Sequence, residues 1–420
     1  MKPKLLFLAP QNPYPPIDGG KISIYYPVKY LSKFFEIFFI TPVKQIDKKV
    51  NRAIKHFENM GVKYFPVVKN TDDKIIDLLK NVFNKIPFKW YKYYSDEIYK
   101  LCVKLMIKEN INYNFTSAPH MALYAVKLKK FNPNLKIYLR EHNIEFSLVE
   151  QFVNLTKNPV YKLIGIWQLK KSRFLEQKYW ELFDKIFFIS DHDYETAKRL
   201  RPDLVSKFYV LYDGFEINKT CEGNEYSKAF IIPTNITTIQ NQISVKWFIE
   251  KIWIPSFDYI KQNNLVLSIT SGSERKWKKI LGIHNLEQFN IRFLGFIENI
   301  DEELCKHKYV ISPTIMGSGL RLKILHGMAL GKVVFATGYD VKTVKVFKDM
   351  DNIVEFNNSI EFIKKIKIIE ENPTLFNTLS KNAVKTIQKY FNWNYYAKII
   401  FKISLEENYE SAPSWQTLST

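Results

Sequence analysis

The chain has 420 residues, of which 46% are hydrophobic and 25% are charged, and this composition excludes a disordered or fibrous protein. One hydrophobic core rarely supports so long a chain, so we expect two domains of roughly 200 residues each. The formal net charge of +20 suits phosphate-bearing ligands, an anionic membrane or nucleic acid, although a biased genome composition would also produce it.

Cysteine usage and apolar runs indicate where the protein resides. Cys102, Cys221 and Cys305 are far apart, form no CxxC pair and are odd in number, which argues against a disulfide framework and favours a reducing cytoplasm. The N-terminal apolar run from Leu5 to Pro10 is too short for a signal peptide, and no apolar run reaches the ~18 residues of a membrane span. We expect a cytoplasmic protein, either free or held at the inner face of a membrane.

Short apolar runs alternate with segments of helical period in the first half of the chain. Leu5–Ala9 is typical of a parallel strand buried on both faces, and a Pro/Gly-rich loop over 10–20 precedes a helix predicted from Ile22 to about Phe35. The other predicted strands are Glu36–Thr41, Val62–Val68, Asn112–Ser117, Leu135–Arg140, Lys185–Ser190 and Lys207–Tyr212. This alternation predicts a doubly wound α/β domain.

The alternation restarts after Asp213 and Gly214. The predicted strands here are Ala229–Pro233, Leu265–Thr270, Ile291–Leu294, Tyr309–Pro313 and Val333–Thr337, and helices are predicted at Val245–Ile252 and Leu322–Leu330. Glu222–Tyr226 is the expected hinge, and a last helix runs from Asn392 to about Glu407, before a tail from Asn408 that frays. The predicted boundaries are an N-terminal domain over 1–214, a second domain over 215–391, and a helix and tail over 392–420.

Three segments resemble the motifs of family 4 glycosyltransferases of the GT-B fold. Residues 9–21, APQNPYPPIDGGK, resemble the first loop of that family, and residues 139–145, LREHNIE, are similar to its histidine-containing loop. Residues 317–332, GSGLRLKILHGMALGK, resemble the donor-binding motif of its second domain. The order and spacing also agree, so the resemblance covers nearly the whole chain.

The resemblance implies an α/β protein of GT-B architecture. Two Rossmann-like domains would face each other across a cleft, and the C-terminal helix would pack back on the N-terminal domain. The implied reaction is transfer of a sugar, with retention, from a nucleoside diphosphate to a hydroxyl of a glycan or lipid-linked acceptor, in polysaccharide, lipopolysaccharide or glycolipid synthesis. We expect no cofactor and no metal, since basic groups and backbone amides would carry the leaving-group charge.

Gly19 and Gly20 stand at the start of a helix. Without a Cβ, their backbone N–H groups let an anion approach closely, and the helix dipole favours negative charge there. They are therefore candidates for binding the donor diphosphate or an acceptor oxygen. An ordinary strand-to-helix turn, which also favours Asp-Gly, is the alternative.

His142 directly follows the strand predicted to end at Arg140, so it should project from the carboxyl edge of the sheet. The resemblance implies that it hydrogen-bonds the transferred sugar near the reacting carbon, and it is the candidate catalytic residue. The alternative is a structural loop in which Arg140, Glu141 and Glu145 form ion pairs.

The second-domain motif is the most informative segment. Gly317, Ser318 and Gly319 form a loop before a helix predicted near Leu320, whose free amides would hold the diphosphate. Two cations would add positive charge at this helix start, Arg321 and Lys323, unless they are simple surface charges.

Two departures from the family's pattern concern the donor. The resemblance implies a glutamate at position 326, where its carboxylate accepts hydrogen bonds from the ribose hydroxyls, and this chain has His326. A neutral imidazole offers only one acceptor, so it would hold one hydroxyl and not two. Thr234–Asn241 also lacks the Arg and Lys that some relatives aim at the diphosphate, a role that Arg321 and Lys323 would take.

Other motifs receive a structural interpretation. Asp191-His192-Asp193 matches the DxD metal motif, but its place after Ser190 indicates the start of a helix. Asp349-Met350-Asp351 matches the same motif and indicates a turn. No His/Cys cluster in the sequence has the spacing of a zinc site. Residues 83–94, FNKIPFKWYKYY, interleave aromatic rings and lysines without an acid. They predict contact with an anionic membrane surface, stacking on single-stranded nucleic acid, or packing on the edge of the domain.

Three further classes of protein compete with the enzyme. A non-catalytic GT-B subunit that supports a partner enzyme is favoured by His326, and a nucleotide-sugar epimerase has a similar two-domain fold. A nucleic-acid-binding protein rests on the net charge alone, so we expect no nucleic acid partner.

Overall fold

The computed structural model describes residues 2–72, 78, 81, 84–156, 158–216, 221, 227–283, 285–317 and 319–405. The chain divides into two compact units, one made of residues 1–213 and 393–420 and the other of residues 214–392. The predicted hinge at Glu222–Tyr226 and the predicted tail from Asn408 lie outside the described residues.

The first unit contains a sheet of seven parallel strands in the order β3-β2-β1-β4-β5-β6-β7. The interior strand that contains Leu5 to Leu8 is buried on both faces, with these residues fully inaccessible, which explains the uninterrupted apolar run. Each predicted strand ends within two residues of the observed bounds. The strands are β1 (Lys4–Leu8), β2 (Glu36–Val43), β3 (Lys63–Val68), β4 (Tyr113–Ser117), β5 (Lys136–Glu141), β6 (Lys185–Phe188) and β7 (Phe208–Val210).

Helices connect these strands. α1 begins at Gly19, three residues earlier than predicted, because Asp18 caps it by accepting a hydrogen bond from the backbone N–H of Lys21 at 3.0 Å. The helix start predicted at Asp191 is confirmed, with Ser190 as its cap. The helices of this unit that precede the second unit are α1 (Gly19–Leu31), α2 (Lys48–Asn59), α3 (Phe88–Tyr93), α4 (Asp96–Glu109), α5 (Ala122–Phe131), α6 (Glu145–Leu155), α7 (Pro159–Leu182) and α8 (Asp191–Leu200).

The second unit contains a sheet of six parallel strands in the order β10-β9-β8-β11-β12-β13. Val333–Thr337 has the predicted bounds, whereas Val354–Phe356 was not predicted, because three residues with a central glutamate give no apolar run. The strands are β8 (Ser227–Ile232), β9 (Val266–Thr270), β10 (Ile291–Gly295), β11 (His307–Ser312), β12 (Val333–Thr337) and β13 (Val354–Phe356).

The helix predicted at Val245–Ile252 is wrong in its bounds. An α-helix ends at Phe248, and residues 249–253 form one wider π turn, so the helical apolar period continues while the hydrogen bonding changes. The helices of the second unit are α9 (Ile239–Phe248), α10 (Phe257–Gln262), α11 (Glu274–Leu281), α12 (Ile300–Cys305), α13 (Leu322–Ala329), α14 (Gly338–Val341), α15 (Ser359–Glu370) and α16 (Pro373–Tyr390).

The last helix, α17 (Trp393–Leu405), returns to the first unit and packs beside α1. The ring of Trp393 stacks on Tyr26 with the centroids 5.7 Å apart, and Ile400 and Ile403 are buried in the core on that face of the sheet. The packing of the C-terminal helix on the N-terminal unit, expected from the resemblance, is confirmed.

Cys221 and Cys305 form a disulfide within the second unit, so the inference from the odd number of cysteines, which argued against a disulfide framework, was wrong. The two residues are 84 positions apart, but each lies just before one of two neighbouring strands, β8 and β11. The order of strands in the sheet therefore brings the two residues together. Cys102 is free and buried.

The aromatic segment predicted at residues 83–94 packs largely inside the first unit, and Phe83 lies outside the described residues. Phe88 and Trp90 belong to the hydrophobic core, and only Tyr91 among the large side chains of α3 is exposed. The structure therefore favours packing on the domain edge. No helix in the described ranges has both the length and the apolar character needed to span a bilayer.

Candidate functional site

Functional side chains of the first unit gather where its strands end. The strand order reverses between β1 and β4, and ligands of doubly wound folds bind at the carboxyl ends of strands beside such a point. Ser117 ends β4, and His142 follows the last residue of β5. The predicted projection of His142 from this edge is confirmed.

His142 is held in one tautomer. Its Nε2 lies 3.0 Å from Ser117 Oγ and 3.1 Å from Arg140 Nη1. Because a guanidinium can only donate, Nε2 is the acceptor, and Nδ1 of the neutral ring carries the proton. Burial and then the nearby Arg140 cation hold the pKa of His142 well below its usual value. The ring is therefore a neutral hydrogen-bond donor at physiological pH.

Arg140 is fully buried and anchors this corner of the unit. Its guanidinium forms an ion pair with Asp213 and donates to the backbone oxygen of Ser23, and the Ser23 hydroxyl also donates to Asp213. The face of the Tyr396 ring lies 5.6 Å from the guanidinium carbon. These contacts tie β5 to α1, to α17 and to the segment after β7, so they fix the group that orients His142.

The ion-paired loop, which is the alternative to a functional His142, is present only in part. Glu145 contacts Lys89 Nζ at 2.8 Å and His120 Nε2 at 3.3 Å. Burial opposes its ionisation, but these two groups outweigh burial and lower the pKa of Glu145. Arg140, in contrast, pairs with Asp213, which is distant in sequence.

Two more buried carboxyl groups support the loop that carries His142. Glu176 accepts hydrogen bonds from the backbone N–H groups of Glu145 and Phe146, at 2.8 and 3.0 Å, and so caps α6. Glu141 accepts from the Trp180 indole at 2.8 Å. Burial, and then the neighbouring carboxylates, raise the pKa of both Glu141 and Glu176. These contacts fix the backbone on either side of His142.

Gly19 and Gly20 form the exposed first turn of α1. A Cβ added at Gly20 would lie 3.1 Å from the Gln11 amide nitrogen, so a side chain there would press on the loop after β1. The first turn contains no acidic residue. The position suits an anion, and the predicted role in binding stays a prediction.

A cavity of about 1010 Å³ opens beside this turn and was not predicted. Four cationic side chains line it, Lys21, Lys44, Lys49 and Arg52, together with Tyr14 and residues of the loop after β1. The run of basic residues over 44–55 is the sequence signal that could have indicated it. Only the fold shows that this run faces the loop after β1.

In the second unit, the glycine loop follows β11 at the point where that sheet reverses its strand order. Gly317 and Gly319 have φ values of 106° and 76°, which L side chains rarely adopt. A Cβ at Gly317 would lie 2.9 Å from Arg321 Nη2, so glycine is also needed for the arginine to pack here. Ser318 lies outside the described residues.

Arg321 is fixed by a buried partner. Its Nε donates to Asp340 Oδ1 at 3.2 Å, and its Nη2 donates to the backbone oxygen of Met316 at 3.2 Å. Asp340 is fully buried and also accepts from Ser312 Oγ at 2.5 Å. Burial raises the pKa of Asp340, although the Arg321 cation opposes the rise. Arg321 is therefore a positioned cation and not a loose surface charge.

Lys323 lies half-buried in the first turn of α13. Burial lowers its pKa to about 8, with Asp340 opposing the fall. The ammonium is still mostly protonated at neutral pH. A desolvated cation at a helix start attracts a phosphate more strongly than one in water does.

His326 does not stand alone. Its Nε2 lies 2.5 Å from Asp301 Oδ1, in the first turn of α12, and its ring is 5.1 Å from that of Phe215. The imidazole donates to the carboxylate, so Nε2 is not an acceptor for a ribose hydroxyl. Position 326 lacks a carboxylate, but the carboxylate of Asp301 is hydrogen-bonded to the residue at that position.

The predicted residues of the second unit lie around one strand end. The loop after β11 carries the glycines and Arg321, and Lys323 follows in α13. The loop after β8 lies beside it in the sheet, where Thr234 Oγ1 is buried without a hydrogen-bond partner among the described groups. None of the described His, Cys, Asp and Glu residues form a group of three that could hold a metal ion.

A comparison with protein families matches residues 231–372 to the model described as glycosyl transferases group 1. This segment contains the glycine loop, α13 and Asp340, so the match covers the central part of the second unit. A comparison with curated protein sequences gives no match.

Solved structures similar to the chain include glycosyltransferases. A glycosyltransferase from Rickettsia africae is 15% identical with a TM-score of 0.63, and 97% of this chain aligns with 100% of that one. Sucrose-phosphate synthase from Thermosynechococcus elongatus is 12% identical with a TM-score of 0.67, over 96% and 98%. HepE of Anabaena, solved with UDP and glucose, is 11% identical with a TM-score of 0.61, over 96% and 99%. The resemblance to GT-B glycosyltransferases is confirmed, whereas family 4 and retention stay predictions.

Proposed function

We propose that this GT-B chain transfers a sugar from a nucleoside diphosphate to an acceptor hydroxyl. The observation that carries the proposal is the glycine loop with Arg321 anchored on Asp340 and Lys323 beside it. It lies inside the segment that matches glycosyl transferases group 1. The structure of HepE with UDP and glucose supports a uridine nucleotide as the first donor to test.

In the proposed reaction, the bond between the anomeric carbon and the diphosphate breaks as the acceptor oxygen bonds to that carbon. The acceptor proton is released, and the departing diphosphate gains negative charge. Lys323, Arg321 and the backbone amides at the start of α13 would stabilise that charge. The step needs no metal and no cofactor, and retention of configuration is proposed from the resemblance.

His142 would position the transferred sugar. Its neutral ring is held in one orientation by the contacts of Nε2 with Arg140 and Ser117. A ring held in this way would orient the sugar without taking part in proton transfer. The residue therefore acts through geometry across the physiological pH range.

Asp301 would take the place of the glutamate that the resemblance implies at position 326. Its carboxylate lies 2.5 Å from His326 Nε2, and a carboxylate has acceptor capacity for a ribose hydroxyl as well as for the imidazole. The pair would then bind the ribose together.

A non-catalytic subunit is the second candidate function. The hydrogen bond between His326 and Asp301 favours it, because a chain that no longer binds a ribose could also pair these two side chains with each other. An epimerase of similar fold would turn over a nucleotide sugar without an acceptor, which distinguishes it from a transferase.

The test is a panel of nucleotide sugars, screened first by thermal stabilisation and then by release of the nucleoside diphosphate with candidate glycan and lipid-linked acceptors. The variant His142→Ala should lower turnover at least about tenfold, equivalent to ~1.4 kcal/mol. His192→Ala, an exposed histidine of the same unit, is the matched control. A His142→Ala protein that melts early but keeps its specific activity contradicts the positioning role.

A further inference from the structure

The unpredicted cavity of the first unit has the character of an anion site. Of its lining residues, four are cationic and one, Asp47, is a carboxylate. Asp47 is already used, because it accepts hydrogen bonds from the backbone N–H groups of Lys49 and Val50 at 2.9 Å and starts α2. The cavity therefore contains more positive charge than its own walls neutralise.

Three of the four cations form no ion pair with a carboxylate of the described residues. Lys44 forms an ion pair with Asp72 at 2.6 Å. For Lys21, Lys49 and Arg52, no carboxylate within the described ranges lies at ion-pair distance. Uncompensated cations around a concave surface raise the local concentration of anions.

The rest of the lining combines polar residues with apolar ones and one aromatic ring. Tyr14 stacks on His56 with the ring centroids 4.0 Å apart, which holds the tyrosine in place, and Ile17 is 75% exposed on the loop after β1. A volume of about 1010 Å³ far exceeds that of a phosphate ion and lies in the range of pockets for sizeable organic ligands. The ligand should therefore combine a phosphate group with a larger organic part.

We infer that this cavity binds the acceptor through a phosphate group that the acceptor carries, as a sugar phosphate or a phospholipid headgroup does. Identifying the ligand as the acceptor rests on the proposed function, whereas recognition of the phosphate rests on the cavity itself. Lys49, Arg52 and Lys21 hold the phosphate, and Tyr14 packs against the organic part.

The test is calorimetric titration of the full chain with glycerol 3-phosphate and, separately, with phosphatidylglycerol vesicles. The double variant Lys49→Ala/Arg52→Ala should weaken binding of the preferred probe at least tenfold. Lys48→Ala/Lys55→Ala is the matched control, because it removes the same charge from exposed positions of the same helix that do not line the cavity. The control should bind as the wild type does.

Each outcome decides the inference. Binding of the soluble ester indicates a free phosphate ester, and binding of vesicles alone that Lys49→Ala/Arg52→Ala weakens indicates a lipid headgroup. Vesicle binding that this variant leaves unchanged, without binding of the ester, overturns the inference. Equal losses in both double variants, or no binding of either probe, overturn the inference. UDP is titrated in parallel. If the wild type does not bind UDP, this result argues against the proposed function and not against phosphate binding in the cavity.

A separate observation concerns α6 and α7. Of the 19 large hydrophobic side chains that are exposed in the described residues, eight lie within 152–182. They are Phe152, Leu155, Val160, Tyr161, Leu163, Ile166, Phe174 and Leu182. Such a concentration on a monomer's surface marks an interaction site.

The apolar stripe of α7 faces away from the unit. Val160, Leu163, Trp167 and Phe174 recur at helical spacing on that face. The buried residues between Gly165 and Glu176 are small or polar, whereas Tyr179 and Trp180 are buried near the end of the helix. A Cβ at Gly165 would lie 2.7 Å from Val153 Cγ2, so α7 packs closely on α6 there. In its first part, α7 therefore buries polar residues and exposes apolar ones.

The charge of α6 and α7 indicates which kind of partner binds their exposed apolar side chains. Residues 151–175 contain five Lys or Arg and no Asp or Glu, and Lys162, Lys170 and Arg173 are exposed. Two copies of this surface would bring like charges together. An anionic bilayer complements both the cations and the apolar side chains.

We propose that α6 and α7 lie in the interface of an anionic membrane, with Leu163 and Phe174 in the boundary between headgroups and acyl chains. The test is flotation of the full chain with vesicles of phosphatidylglycerol and of phosphatidylcholine. Leu163→Ser/Phe174→Ser, at positions 71% and 69% exposed, should lose at least tenfold in binding to phosphatidylglycerol. Ile239→Ser/Ile360→Ser, at positions 66% and 79% exposed, is the control and should bind normally.

Binding should weaken with salt and be weaker to phosphatidylcholine. Equal binding of both variants contradicts the proposal. A dimer that dissociates in Leu163→Ser/Phe174→Ser, without vesicle binding by the wild type, would assign the surface to a second copy and also overturn it.

Discussion

The buried ion pair between Arg140 and Asp213 gives the sharpest test of how the first unit is built. Both side chains are inaccessible, and Asp213 is the carboxylate that Arg140 contacts. Asp213→Asn removes the charge and keeps the shape, so a guanidinium is left buried without compensation. Breaking one partner of a buried pair costs about 3–5 kcal/mol. We expect the lower end, about 3 kcal/mol, because the amide oxygen still accepts one hydrogen bond.

The expected loss is measurable by thermal unfolding followed by circular dichroism. For a unit of this size, about 3 kcal/mol lowers the melting temperature by roughly 6–12 °C. Turnover should fall as well, because Arg140 Nη1 is the group that fixes His142 Nε2.

Asp203→Asn is the matched control for this variant. It removes a carboxylate from an Arg–Asp pair of the same unit, with Arg201 at 2.5 Å, but Asp203 is 57% exposed. Solvent replaces what is lost there, so the melting temperature should change far less. If Asp213→Asn and Asp203→Asn have the same melting temperature, the buried pair does not stabilise the unit and the prediction is refuted.

Three more predictions concern the second unit. The pKa of Lys323 is about 8 against an ordinary 10.5, so UDP affinity should fall above pH 8 as the ammonium loses its proton. The free energy of unfolding should rise between pH 8 and 10.5, because the folded state binds fewer protons than the unfolded state there. Lys323→Arg should keep its UDP affinity up to pH 9, which calorimetric titrations at several pH values would measure. His326→Glu places a second carboxylate beside Asp301, and the repulsion between the two should cost about 1 kcal/mol or more. Calorimetry should therefore show tighter donor binding only in the double variant His326→Glu/Asp301→Asn. Tighter binding by His326→Glu alone would contradict the pairing of His326 with Asp301. Thiol titration of the unfolded chain should give one thiol without reductant and three with it, whereas three without reductant would contradict the disulfide.

Local patterns predicted the framework of the fold. Val333–Thr337 was assigned by its apolar residues alone, since a parallel strand covered on both faces needs no polar side chains. The glycine loop with Arg321 was also predictable, because all of its residues lie within five positions. Both features depend on neighbours in sequence.

The partners of these residues could not be predicted in the same way. Asp213 is 73 residues from Arg140, and Asp301 is 25 residues from His326. Cys221 and Cys305 meet because β8 and β11 are neighbours in the sheet. Such contacts depend on strand order and helix placement, and a single sequence shows no local sign of them.

Calorimetric titration with UDP and other nucleoside diphosphates tests the central proposal most directly. The wild type should bind one of them, and Arg321→Ala/Lys323→Ala should weaken that binding by about 2–4 kcal/mol, at roughly 1–2 for each charge-assisted contact. Lys276→Ala/Lys279→Ala, on exposed positions of α11 in the same unit, should not. Binding that is unchanged in the Arg321 and Lys323 variant, with its fold intact, or a wild type that binds no nucleoside diphosphate, would contradict the account.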